Sequence, residues 1–259
     1  MRLLDRSPHG IEPTMYGRAL LDCGTAVFDD LRQGVKQLEF LRDPSAGELV
    51  IGCTERAASG FGATVIEQFS RRYPRATLRV ITADQLPLRD RELRQRTVEL
   101  AIAATDGLPP DPEVATEVLF NDRQVVVAGL HSKWARRGKV ALKDLMDEPW
   151  ILPPPESILG RYISAAFRAA RVEPPRAHIV SFSLPLCHQL LASGEFISLL
   201  PLSMARFGKH LPIKVVRLAS PKLSRPVGIL TLRNRMLSPL AELFIGCARE
   251  IAKPLAKRS

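Results

Sequence analysis

Apolar positions along the chain follow two rhythms. Between residues 14 and 41, Tyr16, Leu20, Cys23, Val27, Leu31, Val35, Leu38 and Leu41 recur at spacings of three and four. Asp22, Asp29, Asp30, Arg32 and Lys36 fall between them and are expected to face water. This is the pattern of a helix with one apolar seam. At ~1.5 Å per residue it is a rod of about 42 Å, ahead of a globular unit. The same helix of a second copy is the natural cover for such a seam, and Gly17, Gly24 and Gly34 permit close approach. Residues 43–47, Asp-Pro-Ser-Ala-Gly, end the rod.

After the rod the rhythm changes to short apolar runs alternating with amphipathic stretches. Residues 49–53 read as a buried strand, and Ser59 as the N-cap of a helix over 60–72. On that helix Phe61, Val65, Ile66 and Phe69 share one stripe, and Tyr73-Pro74 stops it. A strand over 76–83, a helix over 86–96 and a strand over 98–104 follow. Two short strands, 117–120 and 124–128, flank Asn121-Asp122, where the chain is expected to cross into a second subdomain.

Further on, short helices or strands are expected over 142–146, 150–152, 177–182 and 196–200. Longer helices are expected from Ser157 to Arg171 and over 184–192. Strands over 215–218 and 227–232 and a helix over 240–252 close the chain. The alternation predicts an α/β fold with mostly parallel strands and a crevice at their carboxyl ends.

Charge is unevenly spread. Residues 1–50 hold 6 Lys/Arg against 8 Asp/Glu, residues 51–130 hold 10 against 11, and residues 131–259 hold 21 against 8. No run in the basic part resembles a nucleic-acid docking helix, so a solvated basic surface is the reading. No apolar stretch approaches the roughly 20 residues of a membrane span, and the start has no export signal. A cytoplasmic protein that needs no membrane is expected. Cys23, Cys53, Cys187 and Cys247 lack metal-ligand spacing, so no metal is indicated. Cys53 and Cys187 fall near loops of the expected crevice, the place a redox sensor would occupy.

Catalytic and cofactor motifs are lacking. Gly60-Phe61-Gly62-Ala63-Thr64-Val65 follows a strand, with Asp84 beyond the next one. Val65 nevertheless replaces the third glycine of a dinucleotide fingerprint, and the turn is too long. There is no nucleophile elbow or phosphate loop, and the five histidines are scattered. No enzyme activity and no cofactor are expected.

Three segments resemble the LysR-type bacterial transcriptional regulators. RLLDRSPHGIEPTMYGRALL is similar to the family's DNA-binding wing and linker-helix start, with Leu4, Arg6, Gly10, Thr14, Gly17 and Leu20 at matching places. HSKWARRGKVALKDLMDEPWI and QLLASGEFISLLP resemble two stretches of its second effector subdomain. The resemblance implies two Rossmann-like subdomains of periplasmic-binding-protein type behind a dimerising linker helix, with a coinducer in the cleft between them. On that reading residues 1–13 are a wing remnant and 14–43 the linker. Residues 47–259 are then the effector-binding domain, with subdomain I over 47–121 and 215–259 and subdomain II over 122–214.

The departures also carry information. Some thirteen residues precede the rod, too few for a helix-turn-helix, so base reading would need a missing or upstream unit. Arg6 and His9 could meet phosphate only. Glu99 stands where the family often has Asp, and Ala103-Ala104 where it often has a polar residue.

Strand ends and helix starts nominate the ligand residues: Thr54, Ser59, Asp84 and Thr105 from the first subdomain, and Ser181, Phe182, Ser183 and Pro201 from the second. A hydroxyl-rich pocket of this kind suits a sugar, a sugar acid or another small carboxylate. The expected assembly is a homodimer or homotetramer. The rival readings are a stand-alone solute-binding-like protein without DNA binding, and an α/β enzyme.

Overall fold

A computed structural model describes residues 1–7, 10–207, 212–218 and 223–257. Strands β1 (Leu4–Ser7) and β2 (Gly10–Pro13) pair as an antiparallel hairpin. Thr14 then caps α1 (Met15–Arg42), its hydroxyl accepting the Gly17 N–H at 3.1 Å. The predicted seam lies open: Leu20, Val27, Leu31, Leu38 and Leu41 are all exposed, and so are Leu21 and Phe28 beside them. Asp29 departs from the expectation. It is buried, because the opposite face of α1 lies on the domain and Asp29 meets two arginines there.

The first half of the domain is built on β3 (Ala46–Cys53), with β4 (Arg75–Thr82) and β5 (Leu100–Ala104) parallel on either side of it. Between β3 and β4 the chain forms α2 (Glu55–Ala57), a π-helical stretch (Ala58–Gly62) and α3 (Ala63–Arg72). The helical segment therefore begins after Thr54, and Ser59 is inside it, not at its cap. The apolar stripe behaves as its spacing requires: Phe61, Val65 and Phe69 are buried against Leu49, Ile51 and Ile102. The segment predicted over 86–96 is shorter, α4 (Gln85–Pro87) and a π-helical stretch (Leu88–Leu93). It stops where Arg96 turns left-handed, at φ 58°.

The crossing differs most from expectation. Residues 114–129 form one strand, β6 (Val114–Gly129), so Asn121 and Asp122 interrupt nothing. The chain crosses by continuing a ladder, which pairs Asn121 and Asp122 with Pro226 and Arg225 of the returning strand. The second half follows with β7 (Trp150–Leu152), α5 (Ile158–Ala169), β8 (Ala177–Val180), α6 (Leu184–Ala192), β9 (Ile197–Pro201), α7 (Leu202–Phe207) and β10 (Ile213–Val215). Strand β11 (Leu223–Leu232) returns to the first half, and α8 (Pro239–Ala256) closes on it. The predicted strand over 215–218 is thus β10, three residues ending at Val215.

The main sheet runs β4-β3-β5-β11-β6-β9-β7-β8, with β10 paired to β6. It is mixed and not mostly parallel. β11 is antiparallel to both β5 and β6, and β9 is antiparallel to β6. Two long return strands make the change, since each crosses a half against the direction of its βαβ units. Separate cores fill the halves. Phe69 and Phe244 stand edge-on at 5.4 Å in the first, and Trp150 and Phe167 at 5.8 Å in the second.

Helix α8 starts on a buried cap: the Ser238 hydroxyl accepts the Ala241 N–H at 3.2 Å, and Pro239 occupies the first turn. Ser238→Ala should lower stability by about 1–2 kcal/mol, the range for a lost N-cap, with the denaturant slope unchanged in a urea titration.

Candidate functional site

A cavity of about 240 Å³ opens between the halves, lined by both. From the first half come Thr54, Glu55 and Arg56 at the carboxyl end of β3, with Asp84, Gln85 and Leu86 at the end of β4. Backbone bonds hold this lip: the Thr54 N–H donates to the Ile102 carbonyl at 3.2 Å, and Ala58 N–H returns to Thr54 at 2.8 Å. From the second half come Ser157, Ile158 and Leu159, Phe182 beyond β8, and Pro201 and Ser203 at the β9–α7 junction. Ser157 caps α5, accepting the Gly160 N–H at 2.9 Å.

Gly160 sets this wall, since a Cβ there would strike the Pro154 carbonyl. Gly60 sets the junction between the halves. A Cβ on Gly60 would be 2.7 Å from the Ser203 hydroxyl, so α7 approaches the π-helical stretch only because no side chain intervenes.

Charges around the cavity are arranged in distinct ways. Arg225 is buried and holds Asp106 in a fork, Nε to both carboxylate oxygens at 2.9 and 3.0 Å. Its Nη2 also donates to Gln85 Oε1 at 3.1 Å, and the guanidinium lies 5.0 Å over the Tyr162 ring. Asp122 accepts the Ser203 N–H at 3.1 Å and the Ser203 hydroxyl. Burial pushes the Asp122 carboxyl above its usual range, against those bonds and the nearby Arg206 charge. Glu55 Oε1 accepts the Leu184 N–H at 3.3 Å, at the start of α6 across the cavity.

Arg56 differs from these. Its Nη1 donates to the Leu199 carbonyl at 2.9 Å, but its buried Nε has no partner. Among the described residues no carboxylate oxygen is within 4.0 Å of its guanidinium. Burial draws Arg56 down to about 10, so it stays charged at neutral pH.

Of the residues nominated from the sequence, Thr54, Asp84, Phe182 and Pro201 line this cavity. The other four lie off its lining. Ser59 sits mid-helix, because the helical segment opens five residues earlier than its pattern suggested. Thr105 is held to Pro226 on β11, its N–H donating at 2.8 Å. Ser181 accepts the Ser183 N–H, and Ser183 caps α6 through the Leu186 N–H, so both hydroxyls serve the chain's own turns.

Glu55 and Arg56 follow Thr54 directly and share the strand-end signal that nominated it. Nothing local marks Arg225 or Asp122, which the sheet pairs across from each other. Cys53 and Cys187 are buried off the lining, and burial drives the Cys53 thiol up to about 12 and the Cys187 thiol upward as well. Neither thiol is poised as a thiolate. Arg6 is exposed on β1, and His9 lies outside the described residues. Among the described residues no group of three His, Cys, Asp or Glu is placed to hold a metal ion. No helix there is long and apolar enough to cross a membrane.

Two lobes sharing crossing strands, a walled cleft and a helical stalk define an effector-binding domain of periplasmic-binding-protein type. The LysR substrate binding domain model matches residues 42–253, and the chain belongs to that family of transcriptional regulators. It is 26% identical over 265 residues to the HTH-type transcriptional regulator GbpR of Azospirillum brasilense, covering 99% of this chain and 75% of that protein. It is 25% identical to the transcriptional dual regulator GltC of Bacillus subtilis (strain 168), covering 93% of this chain and 80% of the relative. Among solved structures, a full-length OxyR variant from Pseudomonas aeruginosa superposes with a TM-score of 0.69 at 20% identity, over 98% of this chain and 80% of that one. The effector-binding domain of QuiR in complex with shikimate gives 0.64 at 19% identity, over 81% of this chain and 98% of that one.

Proposed function

We propose that the cavity is the effector site of this regulator, that it takes a small polar or anionic metabolite, and that occupancy is passed to α1. In this reading residues 47–121 and 215–259 form one lobe and 122–214 the other, and residues 14–43 are the linker. The observation that carries it is the composition of the walls: each half contributes its own strand ends and helix starts to one shared space. Thr54, Asp84, Phe182 and Pro201 are ligand residues, joined by Arg56, Gln85, Ser157 and Ser203. Thr105, Ser181 and Ser183 then hold the backbone that carries those residues, and Ser59 lies within the helical segment that follows Thr54. The effector domains of QuiR and BenM were solved with shikimate and benzoate, both small carboxylates, which favours a carboxylate over a sugar here.

Mechanism follows from which groups bridge the halves. Arg56 reaches the β9 carbonyl of Leu199, and Glu55 reaches the start of α6. A ligand between these groups binds one relative angle of the lobes better than another and shifts the population toward it. The open seam of α1 pairs with that of a second copy, making a homodimer or a dimer of dimers, and contact with DNA is made through a helix-turn-helix beyond the residues described. Arg6 is a candidate phosphate contact, and His9 is another by position.

Thermal unfolding against a panel of sugars, sugar acids and small carboxylates tests the proposal. A true effector at about a hundred times its Kd should stabilise the fold by about 2.7 kcal/mol. Absence of any shift across the whole panel would overturn it.

A further inference from the structure

We propose that Arg56 selects the charge of the ligand: its guanidinium receives the carboxylate of a small monocarboxylic acid whose apolar body lies against Phe61, Leu86, Ile158 and Phe182. The inference rests on the cavity being the effector site and goes further by fixing the chemical class and the residue that reads it.

The argument is one of elimination among the charges that face the cavity. Arg225 is already neutralised by the Asp106 fork and further tied to Gln85. Glu55 and Asp122 accept hydrogen bonds from the chain's own N–H and hydroxyl groups. Asp84 is exposed at the edge, where water solvates it. Among the described residues Arg56 is the lining cation left without an ion pair, and its buried Nε has no acceptor. A part-buried guanidinium with no counter-charge in ion-pair range is costly, and a carboxylate bound in the cavity offsets that cost. The fork geometry suits a planar two-oxygen acceptor.

The remaining walls narrow the class further. Glu55, Asp84 and Asp122 all line the same space, so a second negative charge on the ligand would be repelled. That disfavours dicarboxylates and phosphate esters. Half of the lining residues are apolar: Ala57, Leu159 and Val227 continue the surface made by Phe61, Leu86, Ile158 and Phe182. Hydroxyls of a sugar would face these carbon surfaces without partners, whereas an aliphatic or aromatic body is desolvated there favourably.

The test is calorimetric binding of cyclohexanecarboxylate, phenylacetate and 4-methylpentanoate, each beside its uncharged amide, with glucose as the neutral polar control. Wild type is expected to prefer at least one acid over its amide by about tenfold or more, the scale of one charge-assisted hydrogen bond. In Arg56→Gln that preference should collapse to about unity. A merely structural role, such as the bond to the Leu199 carbonyl, would weaken acid and amide alike and leave the ratio between them unchanged. Arg56→Lys should keep part of the preference, and Arg56→Met serves if Arg56→Gln does not fold.

Equal acid and amide binding by wild type, tighter glucose binding, or an acid preference that survives in Arg56→Gln would overturn the role of Arg56 and leave the cavity as a ligand site. No binding of any acid, amide or sugar would overturn the site and the inference together.

Discussion

Arg235→Ala should lower stability at neutral pH by about 3 kcal/mol and loosen α1 from the domain. Arg235 follows β11 and is buried together with Asp29 of α1. Nε meets Asp29 Oδ2 at 2.8 Å and Nη2 meets Oδ1 at 2.9 Å, while the guanidinium also caps the carbonyls of Val98 and Arg96. Removing one partner of a buried pair costs about 3–5 kcal/mol, because the other charge is stranded. The lower end applies here, since Arg96 Nη1 still reaches Asp29 at 2.8 Å. Urea titration reads the stability, and amide exchange along α1 reads the loosening. The double substitution Asp29→Leu/Arg235→Met should recover only part of the loss, since the pair's two charges go together but Arg96 loses Asp29 and keeps only Asp30, at 3.6 Å.

The pair also sets an acid dependence. Burial by itself raises the Asp29 carboxyl, but the hydrogen bonds and charges of Arg96 and Arg235 outweigh it and hold its pKa below the ordinary 3.8. A group depressed in the folded state stabilises the fold above its unfolded pKa, and that contribution is lost as pH falls through the folded value. Asp29→Asn should therefore cost most at neutral pH, and its deficit should shrink as pH drops below about 4. A deficit independent of pH would show that the carboxylate charge is not what holds α1.

The second large effect is at the other end of β11. Arg225→Met should destabilise by about 2–3 kcal/mol and deform the cavity. The methionine fills much of the volume but leaves Asp106 without its cation and Gln85 Oε1 without a donor. The cost is set below that of a fully buried pair because the Asp106 side chain remains 26% exposed. Ligand binding should weaken alongside stability, since Gln85 and Arg225 form adjoining parts of the wall. Unchanged affinity in a destabilised Arg225→Met protein would detach this cluster from the site.

These two arginines mark the same structural fact. Strands β5 and β11 are paired, with Val227 opposite Ala104 and Leu230 opposite Ala101. One end of this ladder carries Arg225 and the cavity. The other end carries Glu99, which receives Lys36 of α1 at 2.5 Å, and leads to Arg235 on Asp29. Helix α1 is thus bonded, through Lys36 and Asp29, to one end of the strand pair whose other end lines the cavity.

Local patterning had already announced much of this. The three-four spacing of α1 and its apolar seam are legible because a helix face is a matter of residues a few positions apart. The strand-end rule likewise places Thr54, Asp84, Phe182 and Pro201 on the cavity wall. Ser59 lies off that wall because nothing in the spacing reveals a π-helical stretch, Thr105 because it is bonded to Pro226, and Ser181 and Ser183 because their hydroxyls are consumed by a turn and a cap.

Other features have no local signature. Asp29 reads as one more polar residue on a helix until the fold brings Arg235 to it across 206 positions. The unbroken crossing strand, the antiparallel return and the Arg225–Asp106 fork depend likewise on partners from distant segments. Element type and the amphipathic faces are written in short-range order, because periodicity and capping act within a turn or two. Which charges are paired, and which one in the cleft is left without an ion pair, follows from long-range packing, because burial and neutralisation exist only once distant strands have met.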